Sequence, residues 1–280
     1  SACLVGSEMC IRDRLMVGST AGNDMRYSDE KVTASRNFAN KLWNASRFVQ
    51  MNLPEDFEPG MPAEELLDMS DKWVLSELAR TAAEVTANLD KYELGLAAEK
   101  VENFIWDIYC DWYIEICKSR LNGEDAQQAD TARKVLVWVL DKALKLLHPF
   151  MPFITEEIWQ TLPHDGESIM ISAWPEFDPA HSFEAEEAEM ERIMTAVRAI
   201  RNRRAEMNVP PSRKAKVYIA TAYKPAFEHG SVFMQRLASA SEVEVADSFE
   251  LDGAVCIVTA DAKIYIPMGE LVDLAAEKAR

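Results

Sequence analysis

The chain has 280 residues, 48% hydrophobic and 28% charged, enough apolar material for one substantial core and a smaller second one. No run approaches the ~18 uninterrupted apolar residues of a membrane helix, so no membrane span is expected. A formal net charge of −17 argues against a general nucleic-acid binder, because phosphate contacts need Lys and Arg.

Residues 1–14, SACLVGSEMCIRDR, show no period and are read as a non-native scar outside the fold. Ser1–Val5 is too short for the apolar part of a signal peptide. From Ser35 a helical stripe begins with Phe38, Leu42, Ala45 and Val49. Pro54, Pro59 and Pro62 break it into a loop. A second helix is expected from an N-cap at Ser70-Asp71, through Trp73, Leu75, Leu78 and Ala82, to about Asp90. A third covers about Tyr92–Leu121 and stops at Asn122-Gly123. A fourth runs from about Asp125 to Leu147 with Val135, Val139, Ala143 and Leu146 on one face, and Pro152 opens a short fifth. Short connections between such helices predict an antiparallel bundle over residues 35–165.

Ile169–Trp174 reads as an extended segment, followed by a helix over about Ser182–Met207 that ends at Asn208-Val209-Pro210-Pro211. Acidic residues open this helix and Arg198, Arg201, Arg203 and Arg204 close it, matching the helix dipole at both ends. Residues 166–215 are therefore expected to form a connecting segment with a basic helix. Residues 216–268 read as a small α/β domain: a strand at Lys216–Ala220, a helix at Pro225–Ala240, then short strands at Val243–Val245, Ala254–Thr259 and Ala262–Ile266. Residues 269–280 start one more helix. The fold class is mainly α, a helical bundle followed by a small α/β domain.

No catalytic constellation is legible. Glycine-rich phosphate cradles are absent, and His148, His164, His181 and His229 have no metal-ligand spacing. The five cysteines form no CxxC pair; Cys110 and Cys117, seven apart, read as buried thiols on one helical face. Trp106, Tyr109, Trp112 and Tyr113 fit a stacking platform, and fit bundle core at least as well.

The charge is unevenly placed. Thr33–Asn52 holds three basic residues and no acidic one, and Arg192–Lys216 holds eight basic residues against Glu206 alone. An acidic body with local basic segments binds a polyanion at chosen places. Beside its apolar stripe the first helix carries Arg36, Asn37, Asn40, Lys41, Asn44 and Arg47. Arg and Lys supply charge for phosphates, Asn offers donor and acceptor to bases, and Phe48 or Trp43 offers a ring for an unpaired base. An ordinary polar helix face with a buried Phe48 accounts for the same residues.

Six stretches resemble, in order, the anticodon-binding region of valyl-tRNA synthetases, which are class I aminoacyl-tRNA synthetases. They are SRNFANKLWNASRFV (35–49), DKWVLSEL (71–78), FIWDIYCDWYIEICKSRL (104–121), LHPFMPFITEEIWQTL (147–162), IMISAWPE (169–176) and IRNRRAEMNVPPS (200–212). Upstream, Gly22-Asn23-Asp24-Met25-Arg26 resembles the segment after the family's KMSKS loop, so residues 15–34 read as a remnant linking to a catalytic domain. The motifs of that catalytic domain are absent, as is the editing domain. The family's C-terminal coiled-coil arm would begin near Leu271.

The resemblance implies that Lys41, Asn44, Arg47 and Phe48 contact the anticodon loop of tRNA(Val), with Arg36 and Asn40 as further candidates. It implies Lys41 and Arg47 on phosphates or bases, Asn44 on a base and Phe48 in stacking. The basic run Arg198–Lys216 either contacts the tRNA stem or braces a junction. The complete cytoplasmic enzyme would join valine to tRNA with ATP and Mg2+, using catalytic and editing domains outside this chain; this chain would bind no cofactor, hold no metal and be inactive alone. Competing readings are the equivalent region of an isoleucyl- or leucyl-tRNA synthetase, and a helical protein-interaction scaffold with no RNA role.

Overall fold

The computed structural model describes residues 29–176, 178–210 and 212–271. The expectations for residues 1–14, for Gly22–Arg26 and for the helix beyond Leu271 lie outside the described residues. The chain divides into two compact units, one ending at Phe183 and the other beginning at Glu184. Residues 166–183 thus stay with the first unit, and the basic helix belongs to the second.

The first unit is a helical bundle. Helix α1 (Asp29–Met51) buries the expected stripe: Phe38, Leu42, Ala45 and Val49 are at most 7% exposed. Helix α2 (Met69–Asp90) has its N-cap at Asp68, ahead of the expected Ser70-Asp71. Asp68 is the N-cap, and Asp68 and Asp71 form a reciprocal capping box, each carboxylate accepting the other's backbone N–H. At its far end Tyr92 adopts a left-handed conformation (φ 60°), and Glu93 N–H bonds back to the Asn88 carbonyl, closing a Schellman turn.

The third helix is continuous from Leu94 to Leu121 but not uniform. Helix α3 (Leu94–Asn103) passes into a π-helical segment, Phe104–Tyr113, and then into α4 (Ile114–Leu121). Tyr109, Trp112 and Tyr113 are buried, so three of the four aromatics there are core; only Trp106 is half-exposed. Tyr109 donates its hydroxyl to the Leu136 carbonyl at 2.9 Å. Cys110 and Cys117 are buried as expected, and burial pushes the Cys110 thiol up to about 12. Helix α5 (Ala126–Leu147) is capped by Asp125, which accepts from the Gln127 and Gln128 amides. Val135, Val139, Ala143 and Leu146 are fully buried on its inner face. Helix α6 (Pro152–Trp159) opens on Pro152, whose missing N–H costs nothing at that position. Where an extended segment was expected, Ile169–Ile171 forms a 3-10 turn capped by the Ser168 hydroxyl.

The second unit joins helix α7 (Glu184–Glu206) to a four-stranded sheet. The strands are β1 (Ala215–Thr221), β2 (Ala240–Ala246), β3 (Ala254–Val258) and β4 (Ala262–Pro267), in the order β2-β1-β4-β3. β1 and β2 are parallel, joined by α8 (Lys224–His229) and α9 (Ser231–Leu237); the other pairings are antiparallel. The single helix expected at Pro225–Ala240 is broken at Gly230, where a Cβ would lie 2.3 Å from the Cδ1 atom of Ile193 on α7. Strand β1 alternates buried Ala215, Val217, Ile219 and Thr221 with half-exposed residues, as one face on a core requires. Asn208 (φ 53°) ends α7 in a second Schellman turn, with Val209 N–H on the Arg204 carbonyl. A short α10 (Met268–Leu271) follows β4.

Candidate nucleic-acid interface

The outward side of α1 follows from its phase. At about 100° per residue, Arg36, Asn40, Trp43, Asn44 and Arg47 fall within roughly one quadrant to a third of the helix surface, opposite Phe38, Leu42, Ala45 and Val49. All five are exposed, Trp43 at 40%. Among the described residues, Arg36 and Arg47 have no hydrogen bond or ion pair, and no carboxylate neutralises them. Two guanidinium groups, two amides and an indole therefore face solvent together.

Lys41 and Phe48 lie on the flank of that face, toward the π segment. Lys41 is half-buried; its ammonium bonds the Asp111 carboxylate at 2.6 Å and sits 3.7 Å from the centre of the Trp106 ring. Trp106 in turn stacks on Phe38, with ring centres 6.4 Å apart. Phe48 is half-buried, with the Lys118 ammonium 5.4 Å from its ring. So Arg36, Asn40, Asn44 and Arg47 share an open surface, whereas Lys41 is held by a neighbour and Phe48 shows only part of its ring. Trp43 is the most exposed aromatic on this helix. Its place at one edge of the polar phase, away from the apolar stripe, is the signal for it.

The π segment explains how one ammonium is held twice. A π-helix brings residues five apart close to alignment, whereas an α-helix would set them about 140° apart. Trp106 and Asp111 are five apart, and both reach Lys41.

The other basic run behaves differently. Arg192 pairs with Asp261 at 3.6 Å and lies 4.0 Å over the Tyr223 ring. Arg198 meets Glu191 at 3.3 Å, and Arg203 meets Glu206 at 3.0 Å. Arg201 donates to the Leu237 carbonyl at 2.6 Å, and buried Arg204 donates to the carbonyls of Pro210 and Arg213. Arg192, Arg201 and Arg204 thus tie the helix to the rest of the second unit, whereas Arg198 and Arg203 sit in exposed pairs with glutamates of the same helix.

A bundle with an open cationic, amide-rich helix face offers charge to phosphates and paired donors and acceptors to bases. Residues 71–219, more than half of the chain, match the family model described as the anticodon-binding domain of tRNA ligase. The chain belongs to that family. It is similar to the valine–tRNA ligases of Clostridium tetani (46% identical over 273 residues) and Staphylococcus carnosus (40% over 275), in each case over 96% of this chain and 31% of the relative. The chain thus spans about a third of the length of the curated relatives it matches. A solved ternary complex of an Agrobacterium radiobacter leucyl-tRNA synthetase, tRNA and LeuAMS aligns with a TM-score of 0.47 at 15% identity, over 65% of this chain and 21% of that one.

Proposed function

We propose that the chain is the tRNA-reading region of a valine–tRNA ligase, and that the exposed face of α1 binds the anticodon loop of tRNA(Val). The observation that carries the reading is a pair of unneutralised arginines beside Asn40 and Asn44 on one face of a chain whose net charge is −17. The acidic remainder repels phosphate, so attraction is concentrated on that face. Arg36 and Arg47 contact phosphates or fork to a base edge, Asn40 and Asn44 bond to bases, Trp43 stacks on an unpaired base, and the Phe48 ring edge lines the flank. Identity of 40–46% with valine–tRNA ligases supports valine over isoleucine or leucine. The complete protein attaches valine to tRNA in the cytoplasm using ATP and Mg2+, with catalysis and editing carried by domains outside this chain.

The test is a salt titration of binding to a valine anticodon hairpin, read by fluorescence polarisation. Arg47→Ala is expected to bind about tenfold more weakly, with a salt dependence shallower by about one phosphate contact. Equal affinity and equal slope for the two proteins would contradict the reading. Isoleucine and leucine hairpins, added as competitors, should displace the valine hairpin less well than unlabelled valine hairpin does.

A further inference from the structure

We propose that Asp111 is a specificity-determining residue of the RNA interface: its carboxylate accepts the exocyclic amino group of an adenine or cytosine, while Lys41 donates to the ring nitrogen beside it. This rests on the anticodon-loop reading given above.

A carboxylate is out of place on a surface that serves only to attract phosphate, because it repels the ligand and cancels a neighbouring cation. Yet Asp111 stands directly beside the cationic face of α1, bonded to Lys41. Its side chain remains 52% exposed in that pair, and the bond to Lys41 uses Oδ1. Among the described residues Asp111 has no other hydrogen-bond or ion-pair partner. A carboxylate has about four lone-pair sites, so acceptor capacity is left over, and an ammonium has three N–H donors, of which the Asp111 bond uses one. The Trp106 ring under the ammonium limits where the remaining donors point. The result is a fixed acceptor next to a fixed donor at the rim of the interface.

Adenine and cytosine each present an amino group beside an unprotonated ring nitrogen, the complementary pattern. Uracil presents a carbonyl beside a ring N–H, which opposes it at both positions. Carboxylate-to-amino contacts of this type are how Asp and Glu read cytosine. Codons for valine begin with G and U, so the anticodons that pair with them carry A and C, both amino-bearing. Reading by Asp111 thus suits the proposed substrate, and it makes Lys41 a base contact rather than a phosphate contact.

The experiment uses the 280-residue chain and three hairpins: one with a GAC anticodon, one with its adenine replaced by purine riboside, and one with its cytosine replaced by uridine. The wild-type chain is expected to lose about tenfold in affinity for at least one replacement, the size of one hydrogen bond to a charged group. In Asp111→Ala that loss should shrink to within twofold, with binding of the parent hairpin showing a salt slope equal to or steeper than wild type. Asp111→Ser gives the same readout if circular dichroism shows the alanine variant misfolded. Unchanged discrimination in the variant would overturn the proposal, as would tighter binding of all three hairpins by one common factor, which would make Asp111 only a restraint on Lys41. Failure of the underlying reading looks different: the wild-type chain would then bind the GAC hairpin no better than one with a scrambled loop.

Discussion

Replacing Asp71 with alanine is expected to destabilise the first unit by about 3–5 kcal/mol in urea denaturation, the scale for removing one partner of a buried ion pair. Asp71 is fully buried. It accepts from Arg120 at 2.7 Å, from the Tyr113 hydroxyl at 2.6 Å and from the Asp68 backbone N–H at 3.1 Å. Arg120 is 7% exposed and also pairs with Asp68 at 3.0 Å, while its Nε and Nη2 atoms make no protein hydrogen bond. Without Asp71, a largely desolvated guanidinium keeps only the half-exposed Asp68, and α2 loses its capping box. Arg120→Met should cost less, because Asp71, no longer held ionised by the guanidinium, can take up a proton instead. The double variant should cost at least about 1 kcal/mol less than the sum, because neither charge is then left alone. Additive costs would mean the two residues act separately.

The same carboxylate gives the unit a pH dependence of unusual sign. Burial, helped by the neighbouring Asp68 charge, raises the Asp71 pKa from 3.8 to about 6, against the opposing pull of Arg120 and the Tyr113 hydrogen bond. The folded chain therefore takes up this proton at a higher pH than the unfolded chain does. The Asp71 contribution favours folding as pH falls through about 6, is complete below the unfolded value, and is lost again as pH rises. Relative to Asp71→Asn, the wild-type chain should gain about 2 kcal/mol in unfolding free energy between pH 7.5 and 4.5. A difference that is flat with pH, or that shrinks on acidification, would contradict this placement of the proton.

The helices were legible because one face of each is apolar at a helical period, and their burial follows that phase. Val135, Val139, Ala143 and Leu146 show it on α5. Deviations arise where a different local interaction decides. The Asp68–Asp71 box uses carboxylates in both roles, so the N-cap lies at Asp68 rather than at the expected Ser70-Asp71. The π segment carries no marker in its residues, since a run so rich in aromatics fits several helical pitches. The α8–α9 stretch is divided at Gly230, where only glycine fits because Ile193, far away in sequence, fills the space a side chain would need.

The site divides in the same way. Exposure of Arg36, Asn40, Asn44 and Arg47 follows from helix phase alone, whereas the expected set led with Lys41 and Phe48, which the fold holds half-buried on the flank. The pairing of Lys41 with Asp111 joins residues 70 positions apart and depends on the π pitch, so nothing near Lys41 announces it. The inward fixing of Arg201 and Arg204 by backbone carbonyls was equally illegible, because a basic helix end looks the same whether its arginines turn out or in.

Charge reversal on the two basic helices tests the central claim most directly. The chain with Arg36→Glu and Arg47→Glu, and the chain with Arg198→Glu and Arg203→Glu, carry the same change in net charge. Their affinities for a valine anticodon hairpin, measured at about 0.1 M salt, separate a local site from general attraction. At least thirtyfold loss in the α1 variant, with the α7 variant within about threefold of wild type, is the expected result. Equal losses in both, or a larger loss from α7, would mean that RNA is not held on the α1 face.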